Sequence, residues 1–206
     1  MGKSKSEAGP PSENKTWLKL KKAGRAKHTL AEADALYDLA SRVAERSPDL
    51  VAVDIGTWQG LTAAAMALAG LTVYTVDPYE QAQERDLEVP MGSPTVALDT
   101  WDKLGVIDVV HPHIGFSVDL AGRWDRGPVV GLLFVDGSHF ADAVEADVRA
   151  WRPHMAPGAF MAFHDYPHNR GARWARQRGV AAGIRAAGLH GMESWRIDKL
   201  KVIRLP

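Results

Sequence analysis

"LVAVDIGTWQGLTAAAMALAG", residues 50–70, places a short apolar strand, a turn containing glycine and an alanine-rich helix in direct succession. The apolar run over 50–56 has the length of a buried strand. The helix predicted over 60–70 ends at Gly70, a residue that commonly terminates helices. A strand followed at once by a helix is the repeating unit of α/β proteins.

The same alternation continues along the chain on both sides of this stretch. Further strands are predicted over 71–77, 106–115, 129–136 and 158–165, and further helices over 29–47, 93–105, 140–155 and 171–189. Thr29 and Glu32 form a capping-box pattern at the start of the first of these helices. The last residues predict a hairpin that turns near Asp198 and Lys199. Continuous apolar strands separated by helices predict a parallel sheet covered on both faces.

Four acidic residues lie at or just after the ends of predicted strands. They are Asp54, Asp77, Asp136 and Asp165. Ligands of open α/β sheets bind beyond the carboxyl ends of the strands, near the point where the strand order reverses. Four acids in that location are more than turn chemistry requires, and we expect a binding site there.

The loop after the first strand reads Asp54-x-Gly56-x-x-x-Gly60. It matches neither the Gly-x-Gly-x-x-Gly loop of dinucleotide-binding proteins nor a P-loop. Gly56 would let the backbone approach a ligand, and Gly60 would open the helix with close packing. Asp77, at the end of the next strand, is placed to accept hydrogen bonds from two ribose hydroxyls.

Four stretches resemble a known enzyme family: "VAVDIGTWQGLTA", "VYTVDPYE", "LLFVDGSHFADAVEADVRAW" and "PGAFMAFHDY". In this order they are similar to the class I S-adenosylmethionine-dependent methyltransferases, and within them to the branch of the macrolide-sugar and catechol-type O-methyltransferases. The resemblance covers roughly residues 30–206. It implies an α/β, Rossmann-like sheet of seven strands, mostly parallel with an antiparallel last strand, and helices on both faces.

The resemblance also implies which residues bind the cofactor S-adenosylmethionine. The residues around its methionine part and sulfonium would be Asp54, Gly56, Thr57 and Gly60. Asp77 would bind the ribose, and Ser117 would lie near the adenine. The family often has an acid where this sequence has Phe116.

The stretch "FVDGSHF", residues 134–140, places Asp136 and His139 three residues apart at the end of a strand. The cofactor supplies the leaving group in methyl transfer, so the protein must position the acceptor and help to remove a proton from its oxygen. The resemblance implies that His139 is the general base, with Asp136 beside it. Turn and helix-cap chemistry is the alternative explanation of this stretch.

A divalent metal site is implied at Asp136, His164 and Asp165. Carboxylate oxygens suit Mg²⁺, whereas imidazole suits Mn²⁺ and other transition ions better. His164 is therefore a ligand of such an ion, a group behind the ligands, or a hydrogen-bonded histidine in a site without metal.

Composition excludes several classes of protein. The chain of 206 residues has no cysteine, which excludes disulfides, thiolate metal sites and cysteine nucleophiles. Basic and acidic residues both number 25, so the net charge argues neither for nor against a polyanionic partner. The N-terminus lacks the apolar region of a signal peptide, and no apolar run approaches the ~20 residues of a membrane span. These features predict a soluble, cytoplasmic protein.

The first 16 residues are predicted to be a disordered tail, followed by one methyltransferase domain over 17–206. The segment "WLKLKKAGRAKH", residues 17–28, carries five basic residues and no acid. This pattern predicts a solvated basic segment, and the more specific alternative is a contact with phosphate, membrane or nucleic acid. Residues 79–92 are predicted to be a lid. An arginine cluster is predicted to lie on a solvated helix face: Arg170, Arg173, Arg176 and Arg178.

The predicted function is O-methylation of a small molecule, such as a glycosylated or polyhydroxylated natural product, assisted by a divalent ion (Mg²⁺ or Mn²⁺) and a histidine base. One alternative is a methyltransferase that acts on nucleic acid or protein, for which the basic segment is the only support. The other is a nucleotide-binding module without turnover. The oligomeric state is open.

Overall fold

A computed structural model of the chain describes residues 9–79, 92–167 and 179–206. The predicted lid, apart from its end residues 79 and 92, and the predicted arginine cluster lie outside these ranges, as do residues 1–8. Among the described residues, no helix is both long enough and apolar enough to cross a membrane.

Seven strands form one sheet in the order β3-β2-β1-β4-β5-β7-β6. The strands are β1 (Val51–Ile55), β2 (Val73–Asp77), β3 (Val110–Ile114), β4 (Val130–Val135), β5 (Met155–Phe163), β6 (Ser194–Ile197) and β7 (Leu200–Arg204). The first five pair in parallel, and β7 runs antiparallel to both β5 and β6. The predicted α/β class, the seven strands and the antiparallel last strand are confirmed.

The described residues form seven α-helices, and two groups of them cover the sheet. The helices are α1 (Lys15–Leu20), α2 (Leu30–Arg46), α3 (Leu61–Leu68), α4 (Pro94–Lys103), α5 (Ser117–Ala121), α6 (Ala141–Trp151) and α7 (Val180–Ala186). The helices α2, α3 and α4 pack in sequence on one another, as do α5, α6 and α7, and each group contacts the sheet. Because the two central strands are covered in this way, every residue of β1 and β4 is buried.

The structure differs from the predicted elements mainly at their ends. A 3₁₀ turn over Ile107–Val109 delays the start of β3, and another over Arg152–His154, with Pro153 inside it, ends the helix predicted to reach 155. The short helix α5 was not predicted. The predicted capping box is confirmed, because Thr29 accepts a hydrogen bond from the Glu32 amide while the Glu32 carboxylate accepts one from the Thr29 amide.

The N-terminal segment is folded onto the domain earlier than expected. Asn14 caps α1 by accepting a hydrogen bond from the amide of Trp17, and Trp17 and Leu20 are buried. The amide of Ser12 donates to Asp34. Ordered structure therefore begins before residue 17, within the segment predicted to be a tail.

Candidate functional site

The site lies where the strand order reverses, between β1 and β4. Asp54 is the second-last residue of β1 and pairs in register with Phe134 of β4, two residues before Asp136. Gly56 has a φ of +92°, and a Cβ atom there would lie 2.3 Å from the carbonyl oxygen of Asp136. The glycine thus brings the loop after β1 against the backbone that carries Asp136.

Asp54 is fully buried, and its carboxyl group has a hydrogen-bonding atom to spare. Thr62 Oγ1 donates to Asp54 Oδ2 at 3.2 Å, whereas Oδ1 has no partner among the described residues. Burial raises the pKa of Asp54 to about 8, with the nearby Asp136 and Asp77 adding to the rise. Thr57 Oγ1, in the same loop, is likewise buried without a partner in hydrogen-bonding geometry. These atoms fit the ammonium and polar groups of a methionine moiety.

Asp77 organises the two loops on either side of the cleft. Its Oδ2 accepts a hydrogen bond from the amide of Trp58 at 2.8 Å, and its Oδ1 accepts one from the amide of Tyr79 at 2.7 Å. Both donors have positive φ, 47° and 45°, a backbone conformation that costs free energy in residues other than glycine. Burial raises the pKa of Asp77. Each carboxylate oxygen retains a further lone pair for a ribose hydroxyl.

The remaining predicted cofactor residues have different surroundings. Gly60 caps α3 with a φ of +82°, and its carbonyl oxygen accepts a hydrogen bond from Trp101 Nε1 at 2.8 Å, so that the predicted close packing is present. Ser117 Oγ accepts a hydrogen bond from Trp151 Nε1 at 2.8 Å and also bonds the buried Asp147. The Ser117 hydroxyl thus has partners within the domain, and the position of Ser117 near the adenine stays a prediction.

Asp136, His139 and Asp165 come together at the carboxyl ends of β4 and β5. His139 Nε2 lies 3.5 Å from Asp165 Oδ2 and 3.7 Å from Asp136 Oδ1. All three side chains are partly exposed, and their polar atoms lie within 4.8 Å of one another, close enough for one metal ion. Lys199 Nζ pairs with the other oxygen of Asp165 at 3.3 Å. The three residues predicted to act in catalysis and metal binding therefore share one cluster.

His164, the fourth predicted residue, lies deeper and is held between carboxylates. Its Nδ1 is 3.2 Å from Asp136 Oδ1 and 3.8 Å from Asp165 Oδ2, and its Nε2 is 3.3 Å from Glu32 Oε2. These acids raise the pKa of His164 to about 10 against the effect of burial, while the histidines around Asp136 hold its pKa well below the usual range. Both shifts favour the charged forms of the two side chains, a protonated His164 beside an ionised Asp136.

Two residues of this cluster were missed by the sequence analysis. Glu32 is 1% exposed, and besides closing the capping box it accepts the amide of Lys199 at 2.8 Å and faces His164. His28 is 6% exposed, and its Nε2 lies 3.1 Å from Asp136 Oδ2. The sequence analysis identified Glu32 only as part of the capping box, and no sequence pattern indicates that His28 belongs to the site.

The basic segment that carries His28, residues 17–28, makes contacts within the domain. Lys21 Nζ donates to the carbonyl oxygen of His28, and Arg25 pairs with Asp99 at 2.7 Å and donates to Thr100 Oγ1. Lys27 lies over the ring of Trp58. Three of its five basic side chains thus have partners within the domain.

Comparison with known proteins identifies a family. A family model described as "Methyltransferase domain" matches residues 53–166, which is more than half of the chain. The match spans the strands from β1 to β5 and all four of the acids at their ends.

Solved structures of similar fold come from several O-methyltransferases. The TDP-rhamnose 3′-O-methyltransferase CalS11 of calicheamicin biosynthesis is 14% identical, with a TM-score of 0.65 over 91% of this chain and 84% of that one. TomG of Streptomyces achromogenes, involved in tomaymycin synthesis and solved with S-adenosylmethionine, is 18% identical, with a TM-score of 0.61 over 98% and 92%. An O-methyltransferase of Bacillus cereus, solved with S-adenosylhomocysteine, is 11% identical, with a TM-score of 0.60 over 92% and 88%.

Proposed function

The chain belongs to the methyltransferase domain family, and we propose on this premise that it transfers a methyl group to a hydroxyl of a small molecule. The fold and the family match confirm the identification as a class I S-adenosylmethionine-dependent methyltransferase. The acceptor, the base and the metal are the parts that we propose here.

The observation that carries the proposal is the position of His139. Its imidazole is 28% exposed at the carboxyl edge of the sheet, with a carboxylate oxygen of Asp136 and one of Asp165 within 4 Å of Nε2. Two carboxylates stabilise the positive charge that an imidazole acquires when it accepts a proton. A hydroxyl that enters the cleft next to His139 therefore meets a base suited to remove its proton.

When bound, S-adenosylmethionine would supply an electrophilic methyl group. Its sulfonium would become a neutral thioether once the methyl group is transferred. In that transfer His139 would accept the proton that the acceptor hydroxyl loses. Asp54 and Thr57 would offer buried oxygen atoms to the methionine part, and Asp77 would offer its carboxylate to the ribose. Positioning and proton removal are then the work of the protein.

A divalent ion at the predicted ligands Asp136, His164 and Asp165 fits this role as a Lewis acid that makes the hydroxyl more acidic. Carboxylate and imidazole atoms converge at this edge of the sheet in two groups that share Asp136, one with His28 and His164 and the other with His139 and Asp165. A small acceptor, such as a sugar or polyol hydroxyl, is favoured by the fold relationship to CalS11, which acts on TDP-rhamnose.

The test compares two variants in a methyl-transfer assay that detects S-adenosylhomocysteine release with a panel of glycosylated and polyhydroxylated acceptors. We expect His139→Ala to lower turnover by ~10²–10⁴-fold, the usual contribution of a general base, and to leave cofactor affinity unchanged. His111→Ala, an exposed histidine on β3, is the matched control and should retain wild-type turnover. Wild-type turnover in His139→Ala would show that His139 only supports the start of α6.

A further inference from the structure

His28 is a buried imidazole whose Nδ1 has no hydrogen-bond partner in the part of the chain that the structure describes. Its Nε2 lies 3.1 Å from Asp136 Oδ2, close enough to interact directly with this carboxylate. The ring packs 4.1 Å from the ring of His164, measured between centroids. A buried polar atom left unpaired costs about 1–3 kcal/mol, so such an atom usually has a water or an ion as its partner.

The donor atoms around this imidazole have the spacing of a coordination shell. Asp136 presents Oδ2 to His28 at 3.1 Å and Oδ1 to His164 Nδ1 at 3.2 Å, and one donor atom from each residue can be chosen within 4.8 Å of the others. Ligands bound at about 2.1 Å to one ion lie about 3.0–3.4 Å from each other. Three such donors therefore fit one ion with little movement.

Glu32 behaves as the partner behind a metal ligand. It faces His164 Nε2 at 3.3 Å, which leaves Nδ1 directed at Asp136. Histidines that bind metals usually donate their other ring N–H to a carboxylate or carbonyl, which fixes the ring and strengthens the ligand. Glu32 is itself fixed by the amides of Thr29 and Lys199, both at 2.8 Å.

We propose that His28, Asp136 and His164 form a binding site for a divalent transition-metal ion, with Glu32 positioning His164. The inference rests on the proposed function only for the purpose of the ion, which is to activate the acceptor hydroxyl. Two imidazoles and one carboxylate suit Mn²⁺, Fe²⁺, Co²⁺ or Zn²⁺ better than Mg²⁺. His28 is the residue that distinguishes this site from the set of Asp136, His164 and Asp165.

The exposure of the side chains shows which way the site opens. The His28 and His164 side chains are 7% and 6% exposed, whereas those of Asp136, Asp165 and His139 are 16%, 22% and 28% exposed. An ion held by the two imidazoles would therefore be reached from the side of Asp165 and His139. This is also the side from which an acceptor hydroxyl would approach the base.

The experiment measures metal binding directly and requires neither acceptor nor turnover. Chelator-treated protein is titrated with Mn²⁺, Zn²⁺ and Mg²⁺ by calorimetry, and pulsed electron paramagnetic resonance of the Mn²⁺ complex counts the coordinating imidazole nitrogens. We expect one ion per chain, two nitrogens, and tighter binding of Mn²⁺ and Zn²⁺ than of Mg²⁺. His28→Gln should weaken Mn²⁺ binding by more than about tenfold and remove one nitrogen, and Glu32→Gln should weaken it about 10- to 100-fold.

His111→Gln is the control for a histidine lost elsewhere, and circular dichroism checks that every variant is folded. If His28→Gln binds Mn²⁺ within about twofold of wild type and the spectrum shows one nitrogen or none, His28 is not a ligand and the proposal is wrong. Absence of binding to the wild-type protein would also overturn it. A protein that binds the ion as expected but turns over no hydroxyl acceptor would contradict the proposed function and leave the metal site standing.

Discussion

Replacing Glu32 by glutamine tests the buried network with a change of charge at nearly constant shape. The carboxylate accepts the amides of Thr29 and Lys199 and faces His164, and these partners lower its pKa from 4.5 to about 2 although burial opposes this. Each pKa unit between folded and unfolded states corresponds to about 1.4 kcal/mol, so the ionised carboxylate stabilises the fold by about 3 kcal/mol. Glutamine keeps one acceptor oxygen and turns an N–H group towards one of these donors. Glu32→Gln should therefore lower the free energy of unfolding by about 3 kcal/mol.

The direction in which stability changes with pH follows from the pKa shifts of both Glu32 and His164. Glu32 has a lowered pKa, so its contribution is complete above pH 4.5 and is lost as the pH falls towards about 2. His164 has a raised pKa, so its contribution is complete below pH 6.5 and is lost as the pH rises towards about 10. The pKa of His164 shifts further than that of Glu32 because His164 also faces Asp136 and Asp165.

The assay is urea denaturation of wild type and Glu32→Gln in chelator. The difference in stability should be largest between pH 4.5 and 6.5 and should shrink on either side, by about 1.4 kcal/mol per unit in acid. Glu45→Gln is the matched control, because Glu45 is an exposed residue of the same helix α2, and it should change stability by less than about 0.5 kcal/mol. A difference below about 1 kcal/mol inside this window, or one that does not vary with pH, would refute the charge pair.

Two further predictions concern the cofactor. Asp77→Ala should weaken S-adenosylhomocysteine binding by ~1.5–3 kcal/mol, measured by calorimetry. Asp102→Ala, on the exposed side of α4, is the control. Unchanged affinity in Asp77→Ala would remove Asp77 from the ribose site. Asp54→Asn should stabilise the cofactor-free protein and weaken cofactor binding. Burial raises the pKa of Asp54 from 3.8 to about 8, and such an acid destabilises the fold increasingly as the pH rises over that range. Urea denaturation with and without S-adenosylhomocysteine checks both effects, and a less stable cofactor-free variant would contradict this explanation of Asp54.

The sequence predicted the parts of the fold that depend on neighbouring residues. The central strands were found because apolar runs of this length, between turn residues, have few other uses, and the start of α2 was found from the capping box of Thr29 and Glu32. Strand and helix ends were less accurate because short 3₁₀ turns, such as the one over Ile107–Val109, continue the apolar pattern without its hydrogen bonding. The acids at strand ends were predictable because parallel strands bring their carboxyl ends to one edge of the sheet.

The deeper half of the site was not predictable in this way. Glu32 lies 132 residues from His164 and 167 from Lys199 in sequence, and its local role as a capping residue already explained its presence. His28 stands in a segment whose basic residues suggested a solvated surface. Trp17 and Leu20 are buried, and Lys21 donates to the His28 carbonyl oxygen; with this segment folded onto the domain, the His28 imidazole lies beside Asp136.

The charges around the site bear on the choice of acceptor. The carboxyl groups of Asp77, Asp136 and Asp165 lie at the carboxyl edge of the sheet, while Lys21 and Arg25 of the basic segment are engaged within the domain. A nucleic-acid backbone brings a row of phosphates, which these acids repel and which needs free lysine and arginine side chains for binding. The cofactor brings a sulfonium and an ammonium group, and a metal ion brings two positive charges, both of which such a site attracts. A small molecule can then bring its hydroxyl beside His139 without a row of phosphates, and the small-molecule acceptor is favoured for that reason.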